Sequence, residues 1–288
     1  MPPRPWHGWA DLPQMQDLLA RSLRDRPHES FVHPGDLAWW LGWFPKTRAE
    51  LAGIATLWEE DGRVVAWAVI DEGDVGECVD PSQPSLTDAI DAWLAQRPEG
   101  ITRYVRDDDR EGVARLERAG YRPAPEEEMV GFSLDLDGLG PIEPDPRVSA
   151  VTRDDDLRPR LSVTHAGFGV DRPFELYVKG YEAFMDSPAY PSGWDLVAWN
   201  RDGRAAACCI AWPDPVSHVG NFEPVATHPE FHRQGFGTTV MRDGLRRLRD
   251  AGMTRAIVRT VRSNQAAIAL YRSLGFADDH VQRAFRRA

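Results

Sequence analysis

An α/β chain built as two successive units of similar plan is what this sequence predicts, and three observations carry that reading. The chain has 288 residues, long for one compact domain and comfortable for two. Strand and helix signals follow one another in a similar order on both sides of its middle: a helical opening, a hairpin, a strand ending near Pro, a helix, a strand, and a short helix closed by a Gly-aromatic pair. Between them, Asp135 to Ser149 reads DLDGLGPIEPDPRVS, which sustains neither helix nor strand. We place the boundary there, with units over 1–140 and 147–288, and expect two cores.

The composition leaves room for both. Hydrophobic residues make up 42% and charged residues 27%, with 11 Trp, which excludes a disordered or fibrous chain. The longest apolar runs, Val64 to Ile70 and Ala205 to Trp212, fall short of the ~18 residues that cross a bilayer and read as buried strands. The Pro-rich amino terminus has no apolar stretch of the secretory kind. The 3 Cys, two of them the neighbours Cys208 and Cys209, give no disulfide framework and no Cys-x-x-Cys metal spacing. These features predict a cytoplasmic protein without a metal.

In the first half, Ile54 to Trp58 and Val64 to Ile70 flank Asp61-Gly62; in the second, Trp194 to Trp199 and Ala205 to Trp212 flank Asp202-Gly203. Asp-Gly between apolar runs is a hairpin signal. Further on, Val105 to Tyr121 aligns with Val261 to Phe276 when Gly120-Tyr121 is set against Gly275-Phe276. That register puts Asp109 opposite Asn264 and Leu116 opposite Tyr271, and it supports an internal duplication.

Charge separates the halves. Residues 1–144 carry 14 basic against 28 acidic groups, and residues 145–288 carry 20 against 17. Twelve Arg and four Asp fall in 231–288, a local excess that suits an anionic guest; a solvated helix face explains Arg246, Arg247 and Arg249 equally well. Nucleic acid is disfavoured because the formal net charge of −11 repels phosphate at long range.

The chemistry concentrates after the strand Phe222 to Thr227. Through Pro229 the chain enters His232-Arg233-Gln234-Gly235-Phe236-Gly237-Thr238 and then a helix to about Ala251. Glycines at 235 and 237 bring the backbone close to a bulky anion, and the free N–H groups at a helix start point outward with the positive end of its dipole. A dinucleotide fingerprint needs a third glycine where Val240 stands, and a P-loop needs Gly-Lys-Ser/Thr; both are absent. A strand, Ala256 to Val261, follows, and then Asn264, Ala267, Leu270 and Tyr271 on a helix that ends at Leu274-Gly275-Phe276.

With PVATHPEFHRQGFGT and SNQAAIALYRSLGF in this order, the string from Pro224 to Phe276 resembles the GCN5-related N-acetyltransferase (GNAT) family. The resemblance implies two tandem units, each a mixed, mostly antiparallel sheet flanked by helices, with acetyl-CoA as co-substrate between the strand ending near Thr227 and the strand ending near Val261. By the same resemblance, Gln234, Gly235, Phe236, Gly237 and Thr238 hold the pyrophosphate, and Val225 and Ala226 hold the pantetheine arm and acetyl carbonyl. Asn264 touches the cofactor arm, Tyr271 is the general acid near the sulfur, and Thr227, His232, Arg233 and Ala267 complete the cofactor set. The family usually has Arg or Gln where this chain has His232. The first-half equivalent of the loop, Cys78 to Ser85, has no glycine and contains Pro84, which has no N–H to donate. This half reads as a degenerate copy.

Amine acylation needs a base, an oxyanion donor and a proton for the departing thiolate. Glu223 and His228 are the candidate bases, beside the simpler readings of a strand residue and a turn residue next to Pro229. Tyr271 is the candidate acid, beside an aromatic core residue, and Asn264 is a helix cap as readily as a ligand. Aromatic and acidic residues between His165 and Trp194 are candidates for the acceptor site, with ordinary packing as the alternative. The expected activity is acetyl transfer to a primary amine of a small molecule or peptide in a ternary complex, by a monomer or homodimer engaging neither membrane nor nucleic acid. The length and duplication are also similar to the mycothiol synthases, and a non-catalytic acyl-CoA-binding regulator is the remaining alternative.

Overall fold

In the computed structural model, which describes residues 2–26, 32–43 and 48–287, both hairpins form where the Asp-Gly signals fall. The first half runs β1 (Arg4–Pro5), α1 (Asp11–Asp25), α2 (Pro34–Gly42), α3 (Arg48–Ile54), β2 (Ala55–Glu60), β3 (Arg63–Asp71), β4 (Asp74–Val79), α4 (Leu86–Leu94), β5 (Thr102–Arg106), α5 (Arg110–Arg118), β6 (Tyr121–Pro123) and β7 (Met129–Asp135). The second half runs β8 (Val148–Ala150), α6 (Arg158–Gly167), α7 (Phe174–Asp186), β9 (Asp195–Trp199), β10 (Ala205–Asp214), β11 (Val219–Thr227), α8 (Phe236–Asp250), β12 (Arg255–Val261), α9 (Gln265–Ser273) and β13 (Ala277–Arg287). The runs read as buried strands become β3 and β10, and every side chain from Val64 to Val69 and from Ala205 to Trp212 is buried.

The register alignment across the halves survives in the helix caps. Asp109 caps α5 by accepting from Gly112 N, and Asn264 caps α9 by accepting from Ala267 N. Both are the same i to i+3 bond, each satisfying a donor that the first turn leaves free.

All strands join one sheet in the order β1-β2-β3-β4-β5-β13-β7-β12-β11-β10-β9-β8, with β6 also on β13. The halves are interlocked rather than adjacent. Strand β7 of the first half runs antiparallel to β12, pairing Met129 with Val261 through Asp135 with Arg255. The last part of β13 lies between β5 and β6 of the first half, with Phe285 opposite Arg103 and Pro123. Each half thus lends a strand to the other.

The buried residues form three cores rather than the expected two. Phe132 on β7 is buried in the second-half cluster with Leu245 on α8 and Tyr271 on α9. Phe285 on β13 is buried in the first-half cluster with Ile90 on α4 and Leu116 on α5. On the opposite face of the sheet a single shared cluster joins Met15, Leu37 and Trp67 to Tyr181, Phe184 and Cys208. Such large apolar side chains stabilise a fold by roughly 3 to 5 kcal/mol each against truncation to Ala, so the exchanged residues bind the halves together.

The charge asymmetry acquires a physical reading here. Arg259 pairs with Asp36 at 3.0 Å, Arg262 with Glu128 at 2.8 Å and Arg286 with Glu127 at 2.6 Å, and Arg287 donates to the carbonyls of Leu94 and Pro98. Part of the cationic excess of the second half neutralises carboxylates of the first.

Candidate active site

Strands β11 and β12 run parallel, but only Val219 to Asn221 pair with Arg255 to Ile257. Beyond that point they part. The cause lies on β11: Cys209 faces Val225 and Ala211 faces Phe222, so Ile210 alone opposes both Glu223 and Pro224. The extra residue bends the strand, and Pro224 offers no N–H. From Phe222 to Thr227 the edge turned toward β12 has no strand partner, which leaves backbone groups of the Val225–Ala226 stretch open to a ligand.

The loop after β11 has the polarity of an anion site. His228 Nδ1 accepts from Glu230 N and caps the short turn Pro229–Phe231, His232 Nε2 lies 3.1 Å from Thr227 O, and Gln234 Nε2 donates to Glu230 O. These contacts shape the turn and leave the next amides uncommitted. Among the described residues, no acceptor meets the N–H groups of Gln234, Gly235, Phe236, Gly237 or Thr238. Gly235 has φ of 85°, a conformation that costs a residue with a Cβ. A Cβ on Gly237 would lie 3.0 Å from Thr227 Oγ1 and 3.2 Å from Leu270 Cδ2, so a side chain here would crowd the loop. Free donors at the start of α8 with its dipole behind them fit a diphosphate. Arg233 and His232 are exposed beside them.

Glu223 lies on the parted stretch of β11, and its charge reaches the buried Tyr271 on α9. Burial pushes the Glu223 carboxyl up to about 7, against the opposing charge of Arg259 and with the help of Asp36. The Tyr271 side chain is 4% exposed, packed 5.6 Å from the Phe132 ring. Burial raises its phenol above the ordinary value, with the Glu223 charge as the next cause. Neither the Glu223 carboxyl nor the Tyr271 hydroxyl has a hydrogen-bond partner among the described residues. A poised carboxyl and a neutral phenol are a proton acceptor and a proton donor.

Sequence reasoning missed the residues that surround Glu223. Asp36, 1% exposed on α2, accepts from Asn221 Nδ2 at 2.8 Å and from Arg259 Nη1 at 3.0 Å. The segment His33-Pro34-Gly35-Asp36 signals a helix start, and His33 with Asp36 forms a capping box; nothing in that signal points 223 positions along the chain.

In the first half, β4 and β5 meet only at Asp74 and Thr102, and the gap beyond is bridged by charge. Arg103 on β5, 2% exposed, pairs with Glu77 on β4 at 2.8 Å and with Asp91 on α4 at 2.6 Å. Arg115 on α5 reaches Asp91 at 3.0 Å. Burial raises the Glu77 carboxyl, but the charges of Arg103 and Arg115 outweigh it and hold the group below its usual range. The loop after β4 satisfies itself: Ser82 N donates to Asp80 Oδ1, Gln83 N to Asp80 O, and Leu86 N to Gln83 O. A carboxylate lies where a phosphate would need donors.

Of the candidates between His165 and Trp194, the tyrosines pack in or against the core, whereas Glu175 and Asp186 form exposed ion pairs. Tyr181 and Tyr190 donate to the buried Asp195, Glu175 pairs with Arg158, and Asp186 pairs with Arg153. Phe168 at 55% and Leu176 at 52% are the exposed apolar side chains of this region. No three His, Cys, Asp or Glu among the described residues are grouped to hold a metal, and no described helix is long and apolar enough to cross a membrane.

Residues 167–276 match the profile of the acetyltransferase (GNAT) family. The whole chain superposes on a GCN5-related N-acetyltransferase from Sphaerobacter thermophilus with a TM-score of 0.62 at 19% identity, covering 99% of this chain and 94% of that one. It also superposes on a tandem GNAT protein from the clavulanic acid biosynthesis pathway, with a TM-score of 0.63, 14% identity and coverage of 99% and 97%. A GNAT-family acetyltransferase from Colwellia psychrerythraea gives 0.62, 14% identity and full coverage of both chains. No curated protein matches the sequence. Residues 167–276 thus resemble the acetyltransferase (GNAT) family in sequence, and the chain as a whole has the fold of the tandem GNAT proteins.

Proposed function

We propose that the protein is an N-acetyltransferase that moves acetyl from acetyl-CoA to a primary amine of a small molecule or peptide, with both held at once in the opening between β11 and β12. The observation that carries this reading is the pairing of a carboxyl at about 7 with an unpartnered buried phenol at the place where the two strands part. The amides of Gln234 to Thr238 and the dipole of α8 hold the diphosphate. Backbone groups at Val225 and Ala226 orient the pantetheine arm and polarise the thioester carbonyl. Asn264 caps α9 through Oδ1 and has its amide nitrogen left for the cofactor.

Glu223 takes one proton of the incoming ammonium and passes it to solvent, the amine nitrogen forms its bond to the acetyl carbon, the carbon–sulfur bond breaks as Tyr271 gives its proton to the sulfur, and the second proton lost by the nitrogen restores the phenol. His228 is the weaker base because its Nδ1 is engaged in capping. The first half, a degenerate copy, binds CoA poorly and supports the second half or helps to wall the acceptor site. Reduced thiols at Cys78, Cys208 and Cys209 suit the cytoplasm as the place of reaction.

The test is mass spectrometry of acetyl transfer across amines, including aminoglycosides, amino acids, polyamines and peptide N-termini, beside calorimetric titration with acetyl-CoA. Glu223→Gln is expected to lower kcat/KM by about 100-fold or more with acetyl-CoA affinity kept. Binding of acetyl-CoA with no transfer to any amine would instead support an acyl-CoA-responsive regulator.

A further inference from the structure

Asp36 belongs to the first half by sequence and to the second-half site by position. Its carboxylate accepts three hydrogen bonds: from His33 N at 2.8 Å, from Asn221 Nδ2 at 2.8 Å and from Arg259 Nη1 at 3.0 Å. Asn221 is the last residue of β11 paired with β12, and Arg259 stands two positions past the last paired residue of β12. One buried carboxylate therefore ties both strands where they separate. Helix α2 is itself held to β11, since His33 Nε2 lies 3.1 Å from Val219 O.

We propose that Asp36 is a positioning residue of the acetyl-transfer site: by clamping Asn221 and Arg259 at the fork of the strands, it fixes the guanidinium that faces Glu223. The proposal rests on Glu223 being the base. The charged and titratable groups facing Glu223 are Arg259 on β12, Asp36 on α2 and Tyr271 on α9; His33 and, through it, Asp214 lie behind Asp36. Arg259 favours the ionised Glu223 and Asp36 opposes it, Arg259 being the stronger of the two. Removing either charge alone unbalances the base in opposite directions.

Ionisation of Glu223 can be read without any acceptor amine, by carboxyl carbon NMR of the full-length protein labelled in Glu, with Glu223→Gln assigning the signal. Asp36→Asn keeps the shape and an acceptor oxygen but removes the charge; it is expected to lower the Glu223 midpoint by about one pH unit, the scale of one charge several ångströms away at an effective dielectric near 20. Arg259→Gln is expected to raise the midpoint, and the double variant to return it toward the native value. Midpoints that do not move in either single variant, or move the same way in both, overturn the proposal. Should Asp36→Asn fail to fold, Asp36→Glu, which keeps the charge but moves the carboxylate off Asn221 and Arg259, decides instead: an unmoved Glu223 midpoint overturns the proposal. If the midpoints shift as expected but the acid limb of kcat/KM does not follow them, the clamp stands and the assignment of Glu223 as base falls.

Discussion

Between β4 and β5, four charged side chains bridge the gap; beside the parting of β11 and β12, the Glu223 carboxyl and the Tyr271 phenol have no hydrogen-bond partner among the described residues. The two forks share their geometry: parallel strands that meet briefly and diverge, a helix after each first strand, and a second helix capped by Asp109 or Asn264. What differs is satisfaction of polar groups. The first-half fork pairs the Arg103 guanidinium with Glu77 and Asp91, although Arg103 Nε keeps no partner, and its loop amides at Ser82, Gln83 and Leu86 have acceptors. At the second-half fork, the amides of Gln234 to Thr238 have no acceptor among the described residues, and Gln234 and Gly235 are exposed. Water satisfies such exposed groups without fixing them, which leaves them available to a ligand.

The comparison can be broken at several points. The largest effect is expected from the exchanged strands: Phe285→Ala should destabilise the fold by about 3 to 5 kcal/mol in denaturant unfolding, although the residue comes from the second half and fills the first. Two separate transitions, with the second-half one unshifted, would contradict the interlocking. Arg103→Met removes the cation between Glu77 and Asp91 and should cost about 3 kcal/mol or more while acetyl-CoA affinity, read by calorimetry, stays unchanged. A gain of binding in the first half would mean that the ion cluster alone keeps the cofactor out.

Protonation sharpens the contrast next. The Glu223 carboxyl is raised from 4.5 to about 7, so the folded state binds a proton that the unfolded chain releases. Its contribution favours the fold below about 4.5, is lost as pH rises to about 7, and is flat above; the loss is about 2 to 3 kcal/mol at 1.4 kcal/mol per unit, with some screening. Glu223→Gln should flatten this segment of the stability profile. Glu77, lowered rather than raised, gives the opposite slope. The smallest effect concerns the loops: Gly237→Val should weaken acetyl-CoA binding by about 30-fold, equal to about 2 kcal/mol, while Ser82→Val in the first-half loop should leave it unchanged.

Local features were legible in the sequence because local chemistry produces them. The Asp-Gly turns, the glycine loop, the α8 helix and the paired caps Asp109 and Asn264 all arise within a few residues of the signals that announce them. The exchange of β7 and β13 left no such mark, because either strand pairs as well with its own half in a pattern of alternating residues. Asp36 was hidden for the same reason: its role depends on Arg259 and Asn221, far along the chain. The opposed charges of the halves were visible and read as a division of labour, whereas Arg262 with Glu128 and Arg286 with Glu127 show that they also hold the halves to each other. The tyrosines near Asp195 looked like a binding surface because an aromatic core and an aromatic pocket have the same composition.

The lent strand β13 also sets an order of events during synthesis. On the ribosome, every partner of that strand is made before it, so the opening half waits with a vacant slot between β5 and β6, exposing unfilled ladder edges and the cavity that Phe285 will occupy. The first half therefore completes its sheet only once β13 is added, and an unpaired sheet edge of this kind is a ready site for chaperones or neighbouring chains.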